Sequence, residues 1–280
     1  MTVRIIKFSV FVLVVLCIAS VSCQKLERPK LGQLILDTIP EAPPYTPVKT
    51  YFAFENNAGD SGEAKVTTTA VGVNYVTGVN GMAAKFDSGG YIMENTVSDS
   101  IKNLGSFTLA FWMNGPGPVV GGAQGLFAIA NSAEFWGNLE LFLENNDNGD
   151  EAFLKIHMFN ANAADGKGEQ WSELKIPGAL NKWTHVAVTY DSTTAHLVLY
   201  VDGAATSVDK VLDNGNYGGI RFNNVSGMSV GTYAFQTSPS LTNHGPESWA
   251  RSFKGALDQL RLYKTALTAD EVNELYTSKE

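Results

Sequence analysis

Two runs late in the chain, WTHVAVTYD at 183–191 and HLVLYVDG at 196–203, alternate between two faces residue by residue. Val186, Val188 and Tyr190 fall on one side of the first run, and His185, Ala187 and Thr189 on the other. That is the period of two expected of a strand with one buried face. Leu197, Leu199 and Val201 repeat the period in the second run, opposite His196, Val198 and Tyr200. Asp202-Gly203 supplies the positive φ of a tight reversal, so a further strand is expected near Ser207. The three pieces form a meander in an antiparallel sheet.

Other short alternating runs sit at 49–54, 83–86, 107–113, 126–130, 139–143, 153–159, 228–230 and 257–263. Turn-rich strings separate them, among them GDSGE at 59–63, NNDNGD at 145–150 and NGNYGG at 214–219. Many short strands with this punctuation predict an all-β sandwich or jelly roll. One short helix is expected near the C-terminus. There Thr268 and Glu271 have capping-box spacing, and Val272, Leu275 and Tyr276 share a face.

The first 22 residues read as an export leader, with Arg4 and Lys7 ahead of an apolar run from Val10 to Ile18 that is too short to span a bilayer. The following Ala-Ser-Val-Ser-Cys resembles a relaxed bacterial lipobox of the Bacteroidetes type. That resemblance implies lipidation of Cys23 and an outer-membrane lipoprotein whose membrane face is left open. Residues 23–47 hold five prolines and read as a tether, and 48–280 as one domain. The only other cysteine, Cys17, would leave with the leader, so the mature domain would have no thiol for catalysis or zinc. With 20 basic against 28 acidic residues the chain carries −8, which argues against nucleic acid as a partner.

Four blocks together resemble the laminin-G-like type of concanavalin A-like jelly roll: Tyr51 to Phe54 with GVNGMAAKF at 78–86, SFTLAFWMN at 106–114, the opening hairpin, and GALDQLRLYKTALTADEV at 255–272. The resemblance implies two antiparallel sheets with a short C-terminal helix, Trp112 and Trp183 in the core, and a structural calcium on Glu55, Asn57, Asp60 and Asp258. Calcium takes six to eight oxygens, and solvated turn acids are the competing reading of these four.

The same fold hosts hydrolases, lyases, lectins and protein-binding modules, so function rests on the site. A glycosidase needs two carboxylates flanking the scissile bond. The nearest string here is Glu140 to Glu144, where Phe142 breaks the acid alternation and the two glutamates are expected on a solvated face. No spacing links His157, Tyr233 and Arg221 into a lyase site, and no catalytic residue is assigned. Sugar binding uses aromatic faces with amide side chains beside them. Trp136, Trp171, Trp249 and Tyr217, with Asn160 and Asn243, are the candidates. The favoured reading is a non-catalytic glycan-binding lipoprotein that works with partner proteins in polysaccharide capture. A hydrolase or lyase, or a protein-adhesion module, stays open.

Overall fold

The computed structural model describes residues 48–63, 65 and 67–279; the leader, Cys23 and the tether lie outside the described residues. The hairpin forms as its alternation dictates. In β9 (Thr184–Asp191) and β10 (His196–Val201), Tyr190 faces Leu197, Val188 faces Leu199 and Val186 faces Val201. Asp202 and Gly203, at φ 48° and 78°, turn the chain into β11 (Ala204–Val211). The Asp202 carboxylate accepts the His185 amide at 2.9 Å and ties the turn to β9.

One hydrogen-bonded ladder runs β11-β10-β9-β4-β14-β3-β12-β5-β6-β7-β8. Its further members are β3 (Met82–Glu94), β4 (Phe107–Asn114), β5 (Ala123–Asn131), β6 (Leu139–Leu143), β7 (Ala152–Phe159), β8 (Glu169–Ile176), β12 (Val225–Val230) and β14 (Gly255–Tyr263). Off this path, β1 (Val48–Phe52) pairs with β14, β2 (Thr68–Thr77) with β3, and β13 (Ala250–Ser252) runs parallel to β5.

The ladder folds over at β3. Residues 84–86 of β3 pair with β14, whereas 92–94 pair with β12. Gly89 and Gly90 lie between these two pairings, and a Cβ on Gly90 would sit 2.7 Å from the Gly72 carbonyl of β2. Strands that change sheets bend at such points. The sandwich core lies between the two layers, with Leu109, Phe111, Val186 and Val188 from one and Leu139, Leu141, Leu154 and Ile156 from the other.

The outer face of the hairpin layer is also covered. Ala110, Ala187, Val198, Tyr200 and Tyr263 cluster with Val272 of a C-terminal helix (Ala269–Ser278). Its capping box is formed: the Thr268 hydroxyl accepts the Glu271 amide and the Glu271 carboxylate accepts the Thr268 amide. Gly203 is required here, because a Cβ would lie 2.8 Å from Asn273 Oδ1 and 2.9 Å from the Tyr276 ring. Trp112 is buried as expected, while Trp183 is only half-buried.

Candidate functional site

In β6, β7 and β8 one set of alternate residues enters the core, and the other set faces outward. Register places Glu140 opposite His157, His157 opposite Trp171, Phe142 opposite Lys155, and Lys155 opposite Glu173. Three non-strand pieces cover this outer face, carrying Phe135 and Trp136, Tyr233 and Phe235, and Trp249. Trp136 stacks on Phe142 at 5.8 Å, meets Trp171 edge-on at 5.1 Å and lies 6.1 Å from Trp249. Phe135 stacks on Phe235 at 4.5 Å, with His244 edge-on against it at 4.9 Å. Such ring pairs contribute about 0.5–1.5 kcal/mol each beyond their area burial.

The structure therefore brings Trp136, Trp171 and Trp249 together, and Trp171 and Trp249 keep 40% and 38% of their surface exposed. Trp171 stands on strand β8 and not on a loop. Asn243 donates to the Ala133 carbonyl and so fastens its loop to the one bearing Trp136. Tyr217 and Asn160, expected among the ligand-binding residues, are buried instead. The Tyr217 hydroxyl donates to the Gly168 carbonyl at 2.6 Å. Asn160 donates to the Tyr217 carbonyl and accepts from the amides of Asn162 and Arg221. Both positions hold loops onto the sandwich and offer nothing to a ligand.

Glu140 also departs from expectation. It is not solvated but 1% exposed, and neither carboxyl oxygen has a well-formed hydrogen bond. Burial pushes its pKa up to about 8, only partly offset by the Gly137 amide, so it is a neutral acid at pH 7. Glu144 does reach solvent and pairs with Lys155 at 3.3 Å. Burial drives His157 down to about 4 against the opposing pull of Glu169, whose Oε1 lies 3.3 Å from Nε2. The same oxygen accepts Trp171 Nε1 at 3.1 Å and sets the orientation of the indole. The Tyr233 hydroxyl has no hydrogen-bond partner, and burial, together with Glu140 and Glu144, raises its pKa above the ordinary phenol range.

Beside Trp136 opens a cavity of about 330 Å³, lined by Asn131, Glu134, Phe135, Trp136, His157, Glu169, Asn223 and Asn224 among others. Buried Asn138 ties the lining residue Asn223 to the end of β5, donating to the carbonyls of Ala130 and Asn223 and accepting the Asn223 amide. A second, wider groove of about 570 Å³ lies on the other side of Trp171, between the facing edges of β8 and β11, with Lys155 and Lys210 in its wall. Of the cavity residues, His157 had a usable signal, lying on the outward parity of β7, whose alternation the sequence shows; Glu169 lies on the outward parity of β8, a strand that the alternation does not reveal. Asn131 and Asn223 had none, because long-range contacts bring them to the rim.

The four expected calcium ligands do not gather. Glu55 and Asp258 both face the 78–82 turn, where Glu55 accepts the Met82 amide at 3.2 Å and Asp258 the Val79 amide at 2.8 Å. Burial, reinforced by the charge of Glu55, pushes Asp258 up to about 6. Asp60 accepts the amides of Tyr51 and Gly62 and lies by buried Glu94, and the Asn57 side chain closes its own loop onto Gly59. Among the described residues no group of three or more acidic, histidine or cysteine side chains is arranged to hold a metal. The four side chains do not fit a single six-oxygen cage.

No curated protein matches this sequence. Among solved structures the chain is similar to domain 4 of AbnA, a GH43 extracellular arabinanase from Geobacillus stearothermophilus, in complex with arabinotriose. Identity is 20% over 82% of this chain and 98% of that one, with a TM-score of 0.51. It is also similar to the ligand-binding domain of botulinum neurotoxin serotype D in complex with N-acetylneuraminic acid (12% identity, 84% and 51% of the two chains, TM-score 0.56). A third is the binding domain of botulinum neurotoxin DC in complex with rat synaptotagmin II (15% identity, 84% and 52%, TM-score 0.58). The chain thus spans about half the length of those toxin domains, and likeness at these identities speaks for the fold. Residues 86–273, more than half of the chain, match the Laminin_G_3 family, and with the all-β sandwich this makes the protein a member of the concanavalin A-like lectin/glucanases superfamily.

Proposed function

We propose that the protein is a non-catalytic glycan-binding module whose platform is the surface formed by Trp136, Trp171 and Trp249. One observation carries this reading. Three tryptophans distant in sequence converge, Trp136 lying within 6.1 Å of the other two, beside a cavity edged by asparagines. Aromatic faces take the apolar side of a sugar ring, and amide groups take its hydroxyls. Glycan complexes of an arabinanase domain and a toxin domain with the same fold support the reading at the level of the superfamily. Hydrolysis is not supported, because Glu140 is buried and is not among the residues that line the cavity, and Phe142 fills the position between it and Glu144. The setting we propose is an envelope lipoprotein anchored through Cys23, with partner proteins that pass the glycan onward.

The test is a glycan-array screen of the full-length chain, followed by titration of the best oligosaccharide against Trp136→Ala, Trp171→Ala and Trp249→Ala. Trp171→Ala should weaken binding at least tenfold with the fold intact. Unchanged retention in three folded variants would end the proposal, as would release of reducing ends or unsaturated products for its non-catalytic part. Incorporation of a fatty-acid label that depends on Cys23 tests the anchor.

A further inference from the structure

The charge lining of the cavity beside Trp136 is one-sided. Glu134 and Glu169 contribute carboxylates, Asn131, Asn223 and Asn224 contribute amides, and no lysine or arginine is among the lining residues. His157, also in the wall, is 3% exposed and its Nδ1 has no hydrogen-bond partner. Burial holds that ring neutral at pH 7, so it supplies no positive charge. The nearest guanidinium on the Asn223 side, Arg221, is engaged by Asn162 Oδ1 at 2.9 Å and reaches Asn223 Oδ1 at 3.4 Å. Lys155 and Lys210 line the separate groove beyond Trp171, where Lys155 is paired with Glu144 and Glu173.

Resting on the glycan-binding reading, we propose that this pocket takes uncharged sugars and rejects anionic ones, with Glu134 and Glu169 as the residues that set this selectivity. A uronate, sialate or sulfate entering here would bring like charge against two carboxylates at the rim of a concave site. Specificity often comes from such a repulsive element. Glu169 is held in place for this role by Trp171 Nε1 and His157 Nε2, and both it and Glu134 reach solvent at the rim. The amides of Asn131, Asn223 and Asn224 discriminate little by charge and suit hydroxyls.

The experiment titrates the full-length chain with a neutral oligosaccharide and a uronate oligomer of matched length, at low and high salt. The comparison is then repeated with Glu134→Gln and Glu169→Gln. Neutral sugar should bind at least tenfold more tightly than uronate, and that ratio should shrink as salt screens the carboxylates. Each glutamine variant should raise the ratio of uronate to neutral-sugar affinity several-fold; the ratio is the readout because both residues line the pocket and Glu169 also orients Trp171. Equal or tighter uronate binding by the unaltered protein overturns the charge selection and leaves the glycan reading standing. Binding of neither sugar class, across the array, overturns both. Retained exclusion in two folded glutamine variants and no salt effect overturns the assignment to Glu134 and Glu169, and the salt series decides even where a variant fails to fold.

Discussion

Each outer face of the sandwich holds a buried histidine among aromatic rings, and the two faces differ in what covers them. On the hairpin layer His185 lies 5.2 Å from Trp112 and 6.1 Å from Tyr276, under the C-terminal helix. Burial, then the charge of Arg261, lowers it to about 4. On the other layer His157 lies 4.6 Å from Trp171 and 6.0 Å from Trp136, beneath loops. Both faces leave ring nitrogens without partners, but only the second adds an unbonded carboxyl, Glu140, and phenol, Tyr233. A capped helix closes its face with one continuous stripe. Separate loops meet imperfectly, leaving Trp171 and Trp249 half in solvent and a cavity beside Trp136. The same strand chemistry thus gives a structural seal in one place and an accessible platform in the other.

The comparison is broken most severely at Trp112. It is 5% exposed and stacks on Tyr276 at 5.5 Å, so Trp112→Ala should destabilise by about 3–5 kcal/mol. Denaturant unfolding measures this, and glycan affinity of the folded fraction should not change. A loss below about 1 kcal/mol would mean that the helix is not a seal. Next comes Gly137, where a Cβ would stand 2.7 Å from the Ile129 carbonyl oxygen and 3.1 Å from Glu140 Cγ. Gly137→Ala should destabilise by roughly 1–3 kcal/mol, as overpacking does, and should alter tryptophan fluorescence, because Trp136 is the adjoining residue.

Much of the fold was legible because period two is local. The runs at 139–143, 153–159 and 197–201 become strands almost residue for residue, and Thr268 with Glu271 caps the helix as its spacing requires. β8 and β2 escaped for a physical reason. EQWSELKI breaks the alternation because polar Gln170 and Ser172 take inward positions opposite Met158 and Ile156, and TTAVGVNYVT is largely exposed with a glycine inside. The site was legible by residue type only. Tryptophans draw attention, but the same reasoning cannot tell that Asn160 and Tyr217 spend their polar groups on backbone, or that Glu140 faces a covered surface. Those facts depend on which loop covers which face, and a strand's alternation does not contain them.

The orphaned carboxyl sharpens the comparison through pH. A glutamate with a pKa near 4.5 in the unfolded chain and about 8 in the folded one binds its proton more tightly when folded. Its contribution to stability is therefore complete below about pH 4.5 and declines as pH rises toward 8. Glu140→Gln removes that decline. Relative to the unaltered protein it should gain on the order of 1–3 kcal/mol between pH 4.5 and pH 8. Subtracting the two pH profiles isolates this group from Glu94, which is also raised to about 8 and persists in both proteins. Parallel profiles would show that Glu140 is hydrated and that the loop cover is leakier than its burial indicates.

The smallest expected effect on stability falls on Trp171, and it gives the most direct view of the difference between the faces. Its indole is 40% exposed on the last strand of the ladder, and the Lys210 ammonium bridges to its backbone carbonyl at 2.8 Å, a contact that a side-chain truncation leaves in place. Trp171→Ala forfeits the edge-on ring contact with Trp136 and the hydrogen bond to Glu169, while the area newly exposed is modest. The expected loss is about 1 kcal/mol, well under that of Trp112→Ala. Binding should reverse the ranking, with the tenfold loss at Trp171 and none at Trp112. Thermal melts and oligosaccharide titration on the same two proteins read both quantities. Equal destabilisation by the two substitutions would make the β5–β8 face a second sealed core, and the tryptophans on it packing residues instead of a platform.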